Sequence, residues 1–230
     1  MHFRMAAPEA QPGRRRPCAV APRSAAGGPD AGAQALGGGT MTASPHHAGP
    51  PPTPEEHATS APPRTTRKVL AAQNISRMCL VCGAENVAGL HARFYELEGG
   101  ELLGVFAPRA EHQSYPGRLH GGISSAILDE TIGRAIIVGN AGVWGVTVEF
   151  TVRFRRPVPL DGEVRAVGRV TRDTSRLFEG TGELLLADGS VAAEGRGKYL
   201  KMGLGEIAPE MAHEEEWFAD PRPRPEAAVI

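Results

Sequence analysis

From Trp144 to Phe154 apolar and polar residues alternate strictly. Trp144, Val146, Val148, Phe150, Val152 and Phe154 fall on one face, and Thr147, Glu149, Thr151 and Arg153 on the other. A period of two marks a half-buried strand. Shorter segments repeat the pattern. Leu90 to Leu97 sets Leu90, Ala92 and Phe94 against His91, Arg93 and Tyr95, and Glu101 to Ala107 returns after Gly99-Gly100. Glu163 to Thr171, Arg176 to Ala187 and Val191 to Met202 read as three more strands, separated by turns that include Asp188-Gly189. Residues 108–119, with Pro116-Gly117, read as a loop. One segment differs. Gly121 to Val138 has Ile123, Ala126, Ile127, Leu128, Ile132, Ala135, Ile136, Ile137 and Val138 spread over most of a helical circumference. That predicts a helix embedded in a protein core, ended by Gly139-Asn140. The order β-β-α-β-β-β-β predicts an α+β fold, an antiparallel β-sheet wrapped around one long central helix. Open sheet edges predict dimerisation by edge pairing.

Composition places the boundaries. Of residues 1–66, 34 are Pro, Gly or Ala, and Phe3 is the one aromatic. Such a stretch buries too little apolar surface to offset the entropy of ordering it, which predicts a disordered tail. Arg14-Arg15-Arg16 lacks the following apolar segment of an export signal, the prolines oppose an amphipathic presequence helix, and Met41 is an alternative start. Residues 204–230 hold seven acids, two bases and alternating prolines, which predicts a solvated acidic tail; His213 to Phe218 could make one helical turn that docks Trp217 and Phe218. The domain itself is expected at 74–203. A formal net charge of −1 leaves no electrostatic footprint for nucleic acid. No apolar run is long enough to span a membrane, and three cysteines exclude a disulfide scaffold and fit a reducing, cytoplasmic setting.

The candidate chemistry sits where the loop becomes the helix, at His120-Gly121-Gly122-Ile123-Ser124-Ser125. Free backbone N–H groups at a helix start suit an oxyanion, and missing side chains let a carbonyl approach. Asp129 lies seven residues after Gly122, two turns along the same face, with Ser125 and Gly133 keeping that face narrow. A carboxylate inside an apolar helix is costly unless paired or used. Two bland readings stand beside this: His-Gly-Gly as turn chemistry, and Asp129 as a structural acceptor. Glu130, about 100° further around the helix, is the rival acid. Cys79 and Cys82 make a C-x-x-C with no second pair; two reduced, mostly buried cysteines are the favoured reading over zinc.

His120-Gly121-Gly122 with Asp129, followed by Thr147-Val148-Glu149-Phe150 and Arg155-Arg156-Pro157-Val158-Pro159-Leu160, resembles the hotdog-fold acyl-CoA thioesterases, in the PaaI-like and 4-hydroxybenzoyl-CoA thioesterase-like group. Cys79-Leu80-Val81-Cys82-Gly83 resembles a segment common at the start of such domains. The resemblance implies a hotdog fold and hydrolysis of acyl-CoA to acid and CoA without a cofactor or metal. It implies Asp129 as general base or nucleophile, the Gly121 N–H as carbonyl polariser, and His120 as a shaper of that site. It implies Thr147 as the hydroxyl that orients water, supplied by a partner subunit in a homodimer or dimer of dimers. Gln113 or Ser114 stands where some relatives carry an amide that contacts the thioester. Gly122 and Ser125 would line the substrate site. Arg155 and Arg156, or the group Arg169, Arg172 and Arg176, are candidates for the CoA phosphates. The alternatives are a non-catalytic acyl-CoA-binding module and an acyl-CoA dehydratase.

Overall fold

A computed structural model describes residues 65–209 and 216–230. The N-terminal tail expected over 1–66 lies almost wholly outside them. Ten strands and two helices follow in order: β1 (Thr66–Ala72), β2 (Ile75–Ser76), β3 (Arg93–Leu97), β4 (Leu102–Phe106), α1 (Gly121–Arg134), β5 (Trp144–Phe154), β6 (Val164–Asp173), β7 (Leu177–Leu185), β8 (Val191–Met202), α2 (Leu204–Ile207), β9 (Trp217–Phe218) and β10 (Ala227–Val229). Eight strands form one antiparallel sheet in the order β10-β1-β3-β4-β6-β7-β8-β5, while β2 pairs β9. This is the hotdog arrangement: a long helix held in the curve of an antiparallel sheet.

The helix is as buried as its all-round apolar pattern predicts. Ile127, Leu128 and Ile132 are fully inaccessible. Its close approach depends on a row of glycines paired across three strands, Gly168 to Gly182 to Gly195. A Cβ at Gly168 would lie 2.8 Å from the Thr131 carbonyl oxygen, and one at Gly182 2.9 Å from Ile132 Cγ1. Side chains there would push α1 off the sheet. A short 3-10 turn at Ala135–Ile137 extends the helix, so it ends close to the expected Val138.

Three features depart from the sequence reading. The sheet starts at Thr66, because β1 pairs β3 and completes the edge beside it. The described residues 216–230 do not behave as a solvated tail; 210–215 lie outside the described residues. Trp217 and Phe218 pair with Ser76 and Ile75 as a short strand, while residues 213–215 of the expected helical turn are among those outside, and Ala227–Val229 add an edge strand to β1. Asp220 is nearly inaccessible in its ion pairs with Arg93 and Arg222. An acid-rich composition masked an anchored strap, since buried acids paired to arginine look the same in sequence as solvated ones.

The third departure moves a functional side chain. β5 does not alternate strictly: Thr147 pairs Tyr199 and Glu149 pairs Lys198, so Val148 is the extra residue of a bulge. The bulge reverses which positions face the helix. Gly145 and Thr147 face α1 before it, whereas Phe150 and Val152 pack on the core after it. Val148 and Phe154 are left exposed on β5, which ends the sheet.

Candidate active site

His120 is the N-cap of α1, with extended φ −66° and ψ 135°. Its Nδ1 accepts the Gly122 N–H at 2.9 Å, and its carbonyl oxygen accepts the N–H groups of Ile123 and Ser124 at 3.0 and 3.1 Å. The accepting Nδ1 puts the ring proton on Nε2. Four N–H groups open every helix without an intrahelical acceptor. His120 donates its own to the His112 carbonyl oxygen at 2.9 Å, and Gly122 and Ile123 spend theirs on His120. The fourth, Gly121 N–H, has no acceptor among the described residues. The ring of Phe154 lies beside the same residue, 3.4 Å from where a Gly121 Cβ would stand. The result is a single oriented donor at the positive end of the helix dipole.

Two turns on, Asp129 is half-buried and held by two hydroxyls. Thr147 Oγ1 donates to its carboxylate, 3.0 Å from Oδ1 and 3.2 Å from Oδ2. Tyr199 donates at 3.2 Å to Oδ1, with the Asp129 carbonyl oxygen 3.3 Å from the same hydroxyl. Burial raises the carboxyl above its ordinary range, the two donors draw it part of the way back, and the neighbouring Glu130 charge adds to the rise. Tyr199 is inaccessible, and burial together with the Asp129 charge holds its phenol far above the usual range. It is therefore a proton donor at every working pH. Both donors bias Oδ1, which leaves Oδ2 the freer oxygen.

Tyr199 escaped the sequence reading. Its ring stacks on Phe178 with centroids 4.8 Å apart and planes 12° off parallel. A Cβ at Gly197 would stand 2.6 Å from the ring, and one at Gly133 3.2 Å. The readable signal was Gly195-Arg196-Gly197-Lys198-Tyr199, two glycines on the same strand face as a polar aromatic, opening a slot for it.

The remaining expected residues divide. Ser125 Oγ donates to the Gly121 carbonyl oxygen at 3.0 Å and sits on the face between the N–H and the carboxylate. Gly122 is exposed beside it. Gln113 Oε1 accepts the Gly117 N–H at 2.8 Å and so braces its own loop; Ser114 is exposed, with its N–H on the Arg118 carbonyl. Arg155 is paired to Glu194 at 2.8 Å, Arg169 to Glu101 and Glu183, and Arg172 to Glu179. Arg156 is exposed, and its charge helps to hold the Asp188 carboxyl low, behind the hydrogen bonds from Ser190. Cys79, Cys82 and Glu130 gather near the other end of α1, with ligand atoms within 4.8 Å of one another.

One expectation is overturned. Thr147 was assigned to a partner subunit, yet it binds the Asp129 of its own chain. The bulge at Val148 is the cause, because it turns Thr147 inward. Conversely, Gly121 and Asp129 are eight residues apart on one helix, about 12 Å along the axis. The two halves of the constellation do not meet within a chain.

The family model described as thioesterase superfamily matches residues 116–193, a span that holds His120, Gly121, Asp129 and Thr147. A crystal structure of a thioesterase superfamily protein is 28% identical with a TM-score of 0.51, over 55% of this chain and 61% of that one. The described fold is a hotdog, and residues 116–193 of it match the thioesterase superfamily. This hotdog chain thus spans less than two thirds of that relative's length. It is also similar to a thioesterase from Haemophilus influenzae (16% identity, 58% of this chain, 90% of that one, TM-score 0.48). A third solved structure is the E. coli PaaI protein from the phenylacetic acid degradation operon (19%, 50% and 81%, TM-score 0.45). No curated protein matches. Tyr199 and the Cys79–Cys82 turn lie outside the family match. No helix among the described residues is long and apolar enough to cross a membrane.

Proposed function

We propose that this hotdog domain hydrolyses acyl-CoA thioesters in a site shared by two copies of the chain. The observation that carries the reading is the separation along α1 of one unspent N–H, at Gly121, from one burial-raised carboxylate, at Asp129. A reacting carbon must come within about 3–3.5 Å of its attacking oxygen. Its carbonyl oxygen needs a donor at about 2.7–3.1 Å. Together these fall well short of the roughly 12 Å between the two groups. An antiparallel second copy brings its Gly121 beside this Asp129, and two-fold symmetry then makes two equal sites. Exposed Val148 and Phe154 on the edge strand, Phe154 standing against Gly121, supply apolar surface for that pairing.

In this site the Asp129 carboxylate takes a proton from water, and the water oxygen attacks the thioester carbon. Thr147 has its hydroxyl proton committed to Asp129, so its lone pairs are left to accept from the same water. The Gly121 N–H of the other copy stabilises the oxyanion. Collapse expels the CoA thiolate, which receives the proton from Asp129, and the acid departs. Direct attack by Oδ2 to give a mixed anhydride is the covalent variant of the same geometry.

The test is thiol release from a panel of acyl-CoAs. Asp129→Asn should lose at least about a hundredfold in kcat, as expected when a general base is removed. Gly121→Pro removes the N–H and sets a ring in its place while keeping the helix start, since proline is tolerated at the first helical position and the extended backbone of His120 suits a following proline. It should lose about 10²–10³-fold. Mixing the two dead variants restores one site per heterodimer, so about a quarter of wild-type activity returns. Binding of acyl-CoA with no turnover by the wild type would make the domain a ligand-binding module instead, and no recovery on mixing would refute the shared site.

A further inference from the structure

The C-x-x-C is built into a site of its own, independent of the Asp129 chemistry. Residues 76–84 fold into a tight turn. The Gly83 N–H donates to the Cys79 carbonyl at 2.9 Å, the Ala84 N–H to the Ser76 carbonyl at 2.9 Å, and the Cys79 N–H to Ser76 Oγ at 2.9 Å. A Cβ at Gly83 would stand 2.7 Å from the Cys79 nitrogen, so only glycine closes the turn. The chain after it is tied back by Leu90 and Ala92, whose N–H groups donate to the Leu80 and Val81 carbonyls. This scaffold holds both sulfurs and a Glu130 carboxylate oxygen within 4.8 Å of one another.

Arg134 closes the cluster. Its side chain is 3% exposed and its guanidinium lies between Phe94 and Trp217, 4.3 and 4.6 Å from the ring centroids. Nε donates to Glu130 at 2.7 Å, Nη1 to the Asn74 carbonyl at 3.0 Å, and Nη2 to Cys82 Sγ at 3.0 Å. A buried guanidinium is always charged and demands anionic partners. Glu130 is one, and the Cys82 sulfur at that distance is the other. Half-buried Cys79 beside it and the Arg134 charge hold the Cys82 thiol below its ordinary range, while the neighbouring Cys82 sulfur and burial push the Cys79 thiol up. Inaccessible Cys82 thus carries the charge, and Cys79 has the access to solvent.

We propose that Cys79 and Cys82 are a redox-active dithiol that closes reversibly to a disulfide by exchange with a small disulfide such as oxidised glutathione. A proton passes from the Cys79 thiol to the Cys82 thiolate, and the Cys79 sulfur attacks one sulfur of the small disulfide, expelling one thiolate. That thiolate takes the proton from Cys82. The Cys82 sulfur then attacks the mixed disulfide at Cys79 and expels the second thiolate. Two protein sulfurs are oxidised and the small disulfide is reduced to one thiol and one thiolate, so charge and protons balance. A zinc site is the competing use of the same atoms. It is disfavoured because structural zinc takes four ligands and three gather here, and because the Arg134 cation already donates to two of them.

The experiment uses the full chain, equilibrated near neutral pH with mixtures of oxidised and reduced glutathione, and maps disulfides by mass spectrometry of peptides. The expected result is a Cys79–Cys82 disulfide that dithiothreitol reverses, with Cys18 outside it. Cys82→Ser should stop at a glutathione adduct on Cys79. Thiolate absorbance near neutral pH should amount to one group per chain in the wild type and vanish in Cys82→Ser. Arg134→Lys, which keeps the positive charge, should retain it. The proposal is overturned if both thiols stay reduced in excess oxidised glutathione while circular dichroism reports a native fold. It is equally overturned if the purified chain holds one zinc per chain that blocking these cysteines releases.

Discussion

Replacing Tyr199 by Phe keeps a ring and removes one oxygen. The ring occupies the slot left by Gly133 and Gly197 and stacks on Phe178, so its packing is unchanged. What disappears is the donor 3.2 Å from Asp129 Oδ1. A hydrogen bond to a charged group is worth about 1.5–3 kcal/mol. At about 1.4 kcal/mol per pH unit that raises the Asp129 carboxyl by roughly one to two units. The separation is long for a hydroxyl on a carboxylate, which favours the lower figure. The assay is kcat/KM for a good acyl-CoA across acid to neutral pH, where the acid limb reports the ionisation of the base in the free enzyme. That limb should move up by about one unit, while the plateau well above it changes much less. The thermal midpoint should barely move, because an apolar ring in an apolar slot strands no polar group except a carboxylate that keeps Thr147. A purely structural Tyr199 would behave differently: the midpoint would fall and the rate would drop by one factor at every pH. An acid limb left in place, with the melt unchanged, refutes the assignment of Tyr199 as a positioning residue.

Three further outcomes follow from the same geometry. Asp129 has a folded-state carboxyl raised above its unfolded value, so the native state binds the extra proton and stability falls as pH rises from the ordinary carboxylate range through the raised one. Asp129→Asn should therefore flatten that fall and melt above the wild type at neutral pH, as read by thermal melts at several pH values. Gly182→Ala places a methyl 2.9 Å from Ile132 Cγ1 and should cost about 1–3 kcal/mol in urea unfolding; a neutral result would mean that α1 is not pressed against the glycine row. Removing residues 216–230 takes away β9, β10 and the Trp217 face of Arg134, and should lower the thermal midpoint of the domain. An unchanged midpoint would return that segment to the status of a solvated tail.

What was legible in the sequence was whatever depends on periodicity and local turn chemistry. The all-round apolar helix, the strand order around it and the His120-Gly121-Gly122 start are written in neighbouring residues. The bulge at Val148 is not, because an alternating strand and a bulged one share one pattern of residue types, and the register with β8 decides between them. Thr147 was found as a residue, while its expected place in a partner subunit was what the resemblance implied and the hydrogen bond to Asp129 of its own chain corrects it. Tyr199 was hidden for a related reason: 70 residues separate it from Asp129, and a tyrosine in a strand is ordinary until the glycines beside it are seen to open a slot. Asp220 shows the same limit for charge, since composition does not reveal that an acid has an arginine waiting on another strand.

The two adjacent acids of α1 show how the fold assigns different work to like residues. Asp129 and Glu130 are separated by about 100° of helix, and each meets a different wall. Asp129 meets β5 and β8, which offer hydroxyls but no cation, so burial dominates and its carboxyl rises toward the strength of a useful base. Glu130 meets Arg134 one turn along, which pairs with it at 2.7 Å and also donates to Cys82. The Glu130 carboxylate is occupied by the Arg134 guanidinium at 2.7 Å, whereas a base that must take a proton from water needs a free oxygen aimed at it. The rivalry between the two acids is thus decided by their partners. Glu130→Gln should leave the acid limb of hydrolysis near its place, shifted slightly downward as a neighbouring negative charge is lost, while weakening the hold of Arg134 on the Cys79–Cys82 turn. Loss of turnover in that variant as deep as in Asp129→Asn would reverse the assignment.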